Sequence, residues 1–354
     1  MRISLKRRSV PPIWQRLLLP ISAILLAVLL SSILIIWAGA DVLKAWYLVF
    51  SGSLGSRYVF FETLVKMSPL VFTGLAVAVA FRAKFWNIGA EGQLYAGAFA
   101  AAALGVVPLD LPKVVHIPIL LIGGFVLGGL LGAFPGYLKA RFKADDVVTT
   151  LLMNYIIIYL LGALLDGPWR DPATMWPHSP HIAESAIYPI FFARSRVHLG
   201  VLLMLVAAAI IYVMMEKTTL GYRIKAVGEN PRASEFGGIP ANRVIVTAAF
   251  LSGGLAGLAG VGEVCAIQRY LIIGISPGYG FFGIVIAMLG RLHPIGVVLA
   301  AFYFAMIISG AESMSRITKV PVYLAEVIQG ITLLTMLLAM VFDRYRLKIE
   351  FKKR

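Results

Sequence analysis

The chain has 354 residues, of which 60% are Ala, Val, Ile, Leu, Met, Phe, Trp, Tyr or Cys and only 14% are charged. So few polar groups cannot cover a water-soluble globule, and so many apolar ones exclude disorder. The net charge of +15 is spread in short basic clusters between apolar runs, the pattern of membrane loops rather than of a nucleic-acid surface.

The apolar runs are long and continuous, so the expected class is an all-α polytopic membrane protein, not a barrel. The first run, residues 17–40, carries no charge and follows Arg2, Lys6, Arg7, Arg8 and Arg16, which puts its start in the cytoplasm. Ala38-Gly39-Ala40 has the small-x-small pattern of a cleavage site. The run exceeds the roughly 7–15 residues of a signal core, however, and is expected to remain as a helix. Further runs cover 67–81, 85–109, 114–138, 147–165, 197–215, 244–262, 270–290, 292–311 and 320–342. Ten spans return both termini to the cytoplasm, and 22 of the 32 Lys and Arg residues then fall on inside segments. The short run 67–81 and the Pro277-containing run 270–290 carry the topology risk. The division is therefore a basic segment 1–16, a membrane domain 17–342 with an external loop 166–196 and an internal loop 216–243, and a basic tail 343–354.

Two segments interrupt the apolar pattern: Phe85-Trp86-Asn87-Ile88-Gly89-Ala90-Glu91-Gly92-Gln93 and Ile275-Ser276-Pro277-Gly278-Tyr279-Gly280-Phe281-Phe282-Gly283. Non-helical backbone at membrane depth survives only where protein or water surrounds it, and paired interruptions point to inverted repeats around a transport path. Polar residues in or beside the spans are Glu91, Gln93, Asn154, Glu263, Gln268, Glu326 and Gln329. Each alone is explained by a hydrogen bond to a neighbouring helix or by solvation at a span end. As a set they suit a path for a polar neutral solute, with Asn87, Glu91, Gln93 and Asn154 the first choices.

In the internal loop, Asn230 suits a helix cap and Pro231 the first helical position. Residues 232–236 then form a short helix, which Gly237 or Gly238 ends in the left-handed conformation. Two readings compete: a solvated loop with an incidental turn, or a docking knob for a soluble partner. The five His residues lack H-E-x-x-H spacing and read as solvated loop side chains, so no metal site is expected. The single Cys265 excludes an internal disulfide. The tryptophans fall mostly at span ends, as interfacial anchors do.

The stretch Gly221–Ile239 resembles the cytoplasmic coupling segment of ATP-binding-cassette importer permeases, in the group that handles branched-chain amino acids, ribose and nucleosides. Phe85–Gln93, Val147-Val148-Thr149-Thr150-Leu151-Leu152-Met153-Asn154-Tyr155 and Gly283-Ile284-Val285-Ile286-Ala287-Met288-Leu289-Gly290-Arg291 resemble the same group, and Asp166-Gly167-Pro168-Trp169 its nucleoside type. The resemblance covers about residues 60–340. It implies a type II importer-like permease in the plasma (inner) membrane that carries nucleosides, with simple sugars or branched-chain amino acids as alternative cargo. It implies coupling through Gly228, Glu229, Asn230, Pro231, Arg232, Ala233, Ser234, Glu235, Gly237 and Gly238. The implied partners are ATPase subunits, a second permease (a heterodimer, with a homodimer as the alternative), an extracytoplasmic solute-binding protein and membrane lipid.

No G-x-x-x-x-G-K-[ST] loop occurs, so the chain is expected to be no enzyme and to bind no cofactor, with ATP and magnesium held by the ATPase. Two rivals come from other classes. An integral-membrane enzyme would need a site such as Ser252-Gly253-Gly254 with His293. An ion-driven secondary transporter would need no capped internal helix.

Overall fold

In lipid every backbone N–H and C=O must be satisfied within its own segment, so the apolar runs become helices. The computed structural model describes residues 2–7, 13–107, 111–318, 321 and 323–350. Arg8, Leu109, Val320 and residues 352–354, which the sequence reading used as span ends or basic loop positions, lie outside the described residues, as does the side chain of Gln329.

The helices are α1 (Ile13–Trp37), α2 (Val42–Leu54), α3 (Arg57–Arg82), α4 (Ala90–Val106), α5 (Lys113–Phe142), α6 (Asp146–Asp166), α7 (Leu199–Lys217), α8 (Thr219–Glu229), α9 (Pro231–Phe236), α10 (Ala241–Gly262), α11 (Tyr279–Leu289), α12 (Pro294–Ile317) and α13 (Leu324–Arg344). A π-helical turn, Glu263–Gln268, extends α10. Each of the ten anticipated runs meets a helix. Among the described residues, six helices are long and apolar enough to cross a membrane: α3, α5, α6, α7, α10 with its π turn, and α12. The pair α1 and α2, bent by 118°, makes a seventh if it is one broken span.

Three departures from the sequence reading have physical causes. The run 270–290 is not a continuous span: only α11 is helical, because Pro277 and the left-handed Gly278 break the chain just before it. Helix α2 lies where a loop was expected, started by Asp41, whose carboxylate accepts the Lys44 N–H at 2.8 Å. The terminal basic segments pair as an antiparallel ribbon, β1 (Arg2–Arg7) with β2 (Tyr345–Glu350), Arg2 opposite Glu350.

The chain divides into two units, Met1–Val59 with Met306–Arg354, and Phe60–Ala305. In the first, α1 packs on α13, and the Thr335 hydroxyl donates to the Ala23 carbonyl at 3.0 Å. In the second, α4, α5 and α10 form the core. Helices α5 and α10 meet through glycines: a Cβ on Gly128 would lie 2.5 Å from the Gly253 carbonyl oxygen. Small residues let two backbones approach where no hydrophobic effect drives helices together.

The long loop after α6 is irregular, as its prolines and aromatics suggest, but it is pinned down. Its Ser179 and Ile182 N–H groups donate to the Leu271 and Arg269 carbonyls, both at 2.9 Å. Asp171 accepts the Ala173 N–H at 3.1 Å and the Thr174 hydroxyl at 2.9 Å. The Ala173 N–H above all, with help from the Thr174 hydroxyl and from His178 and His181, holds the Asp171 carboxyl below its ordinary range. Two histidines depart from the solvated reading. His116 is fully buried on α5 with its Nδ1 2.8 Å from the Ser185 hydroxyl, and His198 is buried as the cap of α7, accepting the Gly200 N–H at 3.0 Å. The partner that buries His116 lies 69 residues along the chain and leaves no local signal, whereas His198 packs beside Tyr188 of its own loop.

Candidate functional site

The loop between α7 and α10 is a helical hairpin. Helix α8 starts at Thr218, whose hydroxyl accepts the Gly221 N–H at 3.3 Å. It buries Gly221, Ile224, Val227 and Gly228, a stripe at helical spacing, and leaves Tyr222 exposed. Gly228 abuts the Arg82 carbonyl at the end of α3, where any Cβ would overlap the oxygen. Lys225 pairs with Glu216 of α7 at 2.8 Å. Two neighbouring elements therefore fix α8 at its two ends.

Helix α9 follows with the cap read from the sequence: the Asn230 side chain accepts the Ala233 N–H at 3.1 Å, and Pro231 opens the helix. Its end is tight. The Gly237 N–H donates to the Ala233 carbonyl at 3.1 Å and the Ile239 N–H to the Ser234 carbonyl at 2.9 Å, while Gly238 takes the left-handed conformation, φ +79°. Phe236 is 96% exposed, an aromatic ring held in solvent by a helix too short to move it. Residues of α8 and α9, including Tyr222, Arg223, Asn230 and Ala233, line a groove of about 540 Å³. The sequence reading found α9 and missed α8, because Gly221 and Gly228 look like helix breakers until their tight packing is seen.

The four polar residues assigned to a solute path lie together, all at most 3% exposed, at the break before α4. The Asn87 amide donates to Gln93 and to the Ser252 hydroxyl, both at 2.8 Å, and its oxygen accepts the Gly89 N–H at 2.9 Å. Asn154 of α6 accepts the Gly92 N–H at 2.7 Å and donates to the Ile88 carbonyl at 2.9 Å. Glu91 accepts the Gly280 N–H at 2.7 Å, joining this break to the second one before α11. The side chains thus satisfy backbone groups that the missing helical turns leave open.

Three further residues support the same break and escaped the sequence reading. Asp146 of α6 accepts the Trp86 N–H and pairs with Lys139 of α5, both at 2.5 Å. Lys139 also donates to the Lys84 carbonyl at 2.6 Å. The Thr150 hydroxyl accepts the Ile88 N–H at 3.1 Å. Asp146 and Lys139 flank a turn of ordinary loop composition, and only their seven-residue separation across it hinted at a pair. Ser252, imagined as a nucleophile, is fully buried and spent on Asn87.

Long apolar helices, a glycine-packed core and two polar-held breaks joined through Glu91 and Gly280 make the frame of a multi-pass membrane protein. The chain belongs to the branched-chain amino acid transport system / permease component family, whose model matches residues 59–337. It is 35% identical over 321 residues to the guanosine ABC transporter permease protein NupP of Bacillus subtilis, covering 90% of this chain and 92% of that one. It is 32% identical over 358 residues to the glucose ABC transporter permease protein TsgB13 of Haloferax volcanii, covering 98% and 94%. A third relative, the nucleoside ABC transporter permease protein NupB of Lactococcus lactis, is 32% identical over 311 residues and covered to 85% on both sides. The chain is therefore a multi-pass plasma-membrane permease subunit of an ABC importer.

Proposed function

We propose that this subunit carries nucleosides and is driven through the α8–α9 hairpin by an ATPase on a separate chain. The observation that carries the coupling is Phe236, displayed on a short capped helix that follows the braced α8 directly. An exposed aromatic on a rigid knob is what a partner cleft needs to grip, and the bracing of α8 on α3 and α7 transmits its displacement into the membrane. Gly228, Glu229, Asn230, Pro231, Arg232, Ala233, Ser234, Glu235, Gly237 and Gly238 form the knob and its joints. Nucleoside cargo is supported by two of the three relatives described above. In this reading both termini lie in the cytoplasm, a second permease completes the path, and a solute-binding protein delivers from outside.

Asn87, Gln93 and Asn154 act in this reading as positioning residues. They hold the backbone of the break that lines the path, and Glu91 couples that break to the second one.

The test is deletion of residues 230–238. Membrane insertion should persist, while ATP-driven nucleoside uptake and co-purification of the ATPase are lost. Uptake that survives the deletion rejects the coupling. Binding of guanosine, glucose and leucine to the cognate binding protein decides the cargo, and a preference for glucose or leucine rejects nucleosides.

A further inference from the structure

The transport reading leaves a basic groove unused. It lies at the ends of α5 and α10 nearest the α8–α9 hairpin, measures about 470 Å³, and is lined by Tyr137, Arg141, Asn242, Arg243, Val246 and Thr247 among others. Its two guanidinium groups come from different helices. Both residues are exposed, and among the described residues neither meets a carboxylate.

The groove stands at the foot of an apolar stripe. On α5, Val126, Leu130, Phe134 and Tyr137 are 40–55% exposed and recur every three or four residues, ending at Arg141. At 1.5 Å per residue the helix from Leu130 to Arg141 is about 16 Å long, close to the about 15 Å of hydrocarbon in one leaflet. Charge at one end and exposed hydrocarbon over a leaflet's depth are the two halves of a phospholipid site. The Asn242 amide lines the same groove as a further donor, whereas the Thr247 hydroxyl already donates to the Arg243 carbonyl at 2.8 Å.

We propose that an anionic phospholipid occupies this position, its phosphate between Arg141 and Arg243 and one acyl chain along the Val126–Tyr137 stripe. Basic pockets between membrane helices take such headgroups, and arginine matches the phosphate geometry better than lysine. The inference needs only the permease reading, not the nucleoside or the coupling. The lipid would brace the start of α10, the helix that follows the hairpin directly.

The importer complex purified in detergent is titrated with phosphatidylglycerol or phosphatidylcholine and read by native mass spectrometry. One phosphatidylglycerol per copy should be retained well above phosphatidylcholine. Retention should fall about fivefold for Arg141→Gln or Arg243→Gln, the factor equivalent to about 1 kcal/mol for each basic group. The double variant should lose about 25-fold, and the paired Arg→Lys variant should recover part of the loss. Equal retention of both lipids, or retention unchanged in the Gln variants, overturns the proposal. So does displacement of the lipid by millimolar inorganic phosphate. A photo-crosslinker at Phe134 should capture lipid; capture of the second permease subunit instead means that a protein covers the stripe. ATP-driven uptake, measured on the same preparations, separates the readings: lipid retained without uptake counts against transport alone.

Discussion

Gly228 of α8 packs so closely on the carbonyl of Arg82 that no side chain fits between the hairpin and the end of α3. The neighbouring Arg82 side chain donates to the Leu292 carbonyl at 3.2 Å, which ties the same corner to the chain before α12. Gly228→Val forces backbone apart, at a cost of about 1–3 kcal/mol. Insertion and expression should survive, since α8 lies outside the long apolar helices. Uptake should drop at least tenfold, while the ATPase remains bound to the intact α9. Loss of ATPase binding together with uptake would mean that Gly228 supports docking rather than transmission.

The Lys139–Asp146 pair gives a second prediction. Its side chains are 24% and 10% exposed, so its coupling lies between that of surface and buried pairs, about 1–3 kcal/mol. Asp146→Asn keeps an acceptor for the Trp86 N–H and removes the charge. Asp146→Ala removes both and leaves that N–H unsatisfied. Thermal stability in detergent should therefore fall in the order wild type, Asn, Ala. A double-mutant cycle with Lys139→Met should return a non-zero coupling. Equal effects of Asn and Ala would show that the ion pair, not the hydrogen bond to the break, is what matters.

The parts of this architecture that were legible in the sequence are those written locally. The cap Asn230-Pro231, the stop at Gly238 and the polar interruption after Phe85 depend on neighbours within a few residues, and each stands where it was read. Helix α8 was hidden because Gly221 and Gly228 cost helix propensity, which close packing against α7 and α3 overrides. Asp146 and Thr150 were hidden because their partners, Trp86 and Ile88, lie some sixty residues away. His116 is hidden for the same reason, its partner Ser185 lying 69 residues away. Burial by a distant segment leaves no periodic trace in the chain.

Asp171 predicts a pH dependence with a definite sign. Its folded-state pKa is lowered from 3.8, so the ionised carboxylate stabilises the loop at all pH values above the ordinary range. That contribution disappears as the pH falls through the lowered value. Protease resistance of the 166–196 loop should be flat from neutral pH to about pH 4 and decline only below it. Asp171→Asn, which keeps one acceptor for the Ala173 N–H but has no titrating carboxylate, should abolish that decline. Loosening that begins well above pH 4 would overturn the role of Asp171.

The sidedness of the loops is tested by two exposed positions, one before and one after α7. Pro172 lies in the long loop after α6, and Phe236 on α9. Between them runs one helix of spanning length, α7, so a membrane that contains α7 must put them on different faces. The native Cys265 is fully buried and does not interfere with thiol labelling. With Pro172→Cys or Phe236→Cys, a membrane-impermeant maleimide added to intact cells should label the first and not the second. Permeabilised cells should label both. Labelling of Phe236→Cys from outside would invert the molecule and remove the hairpin from any cytoplasmic ATPase. Protection of both would place the loop after α6 inside the membrane or under another subunit, in conflict with its exposed Trp176 and Met175.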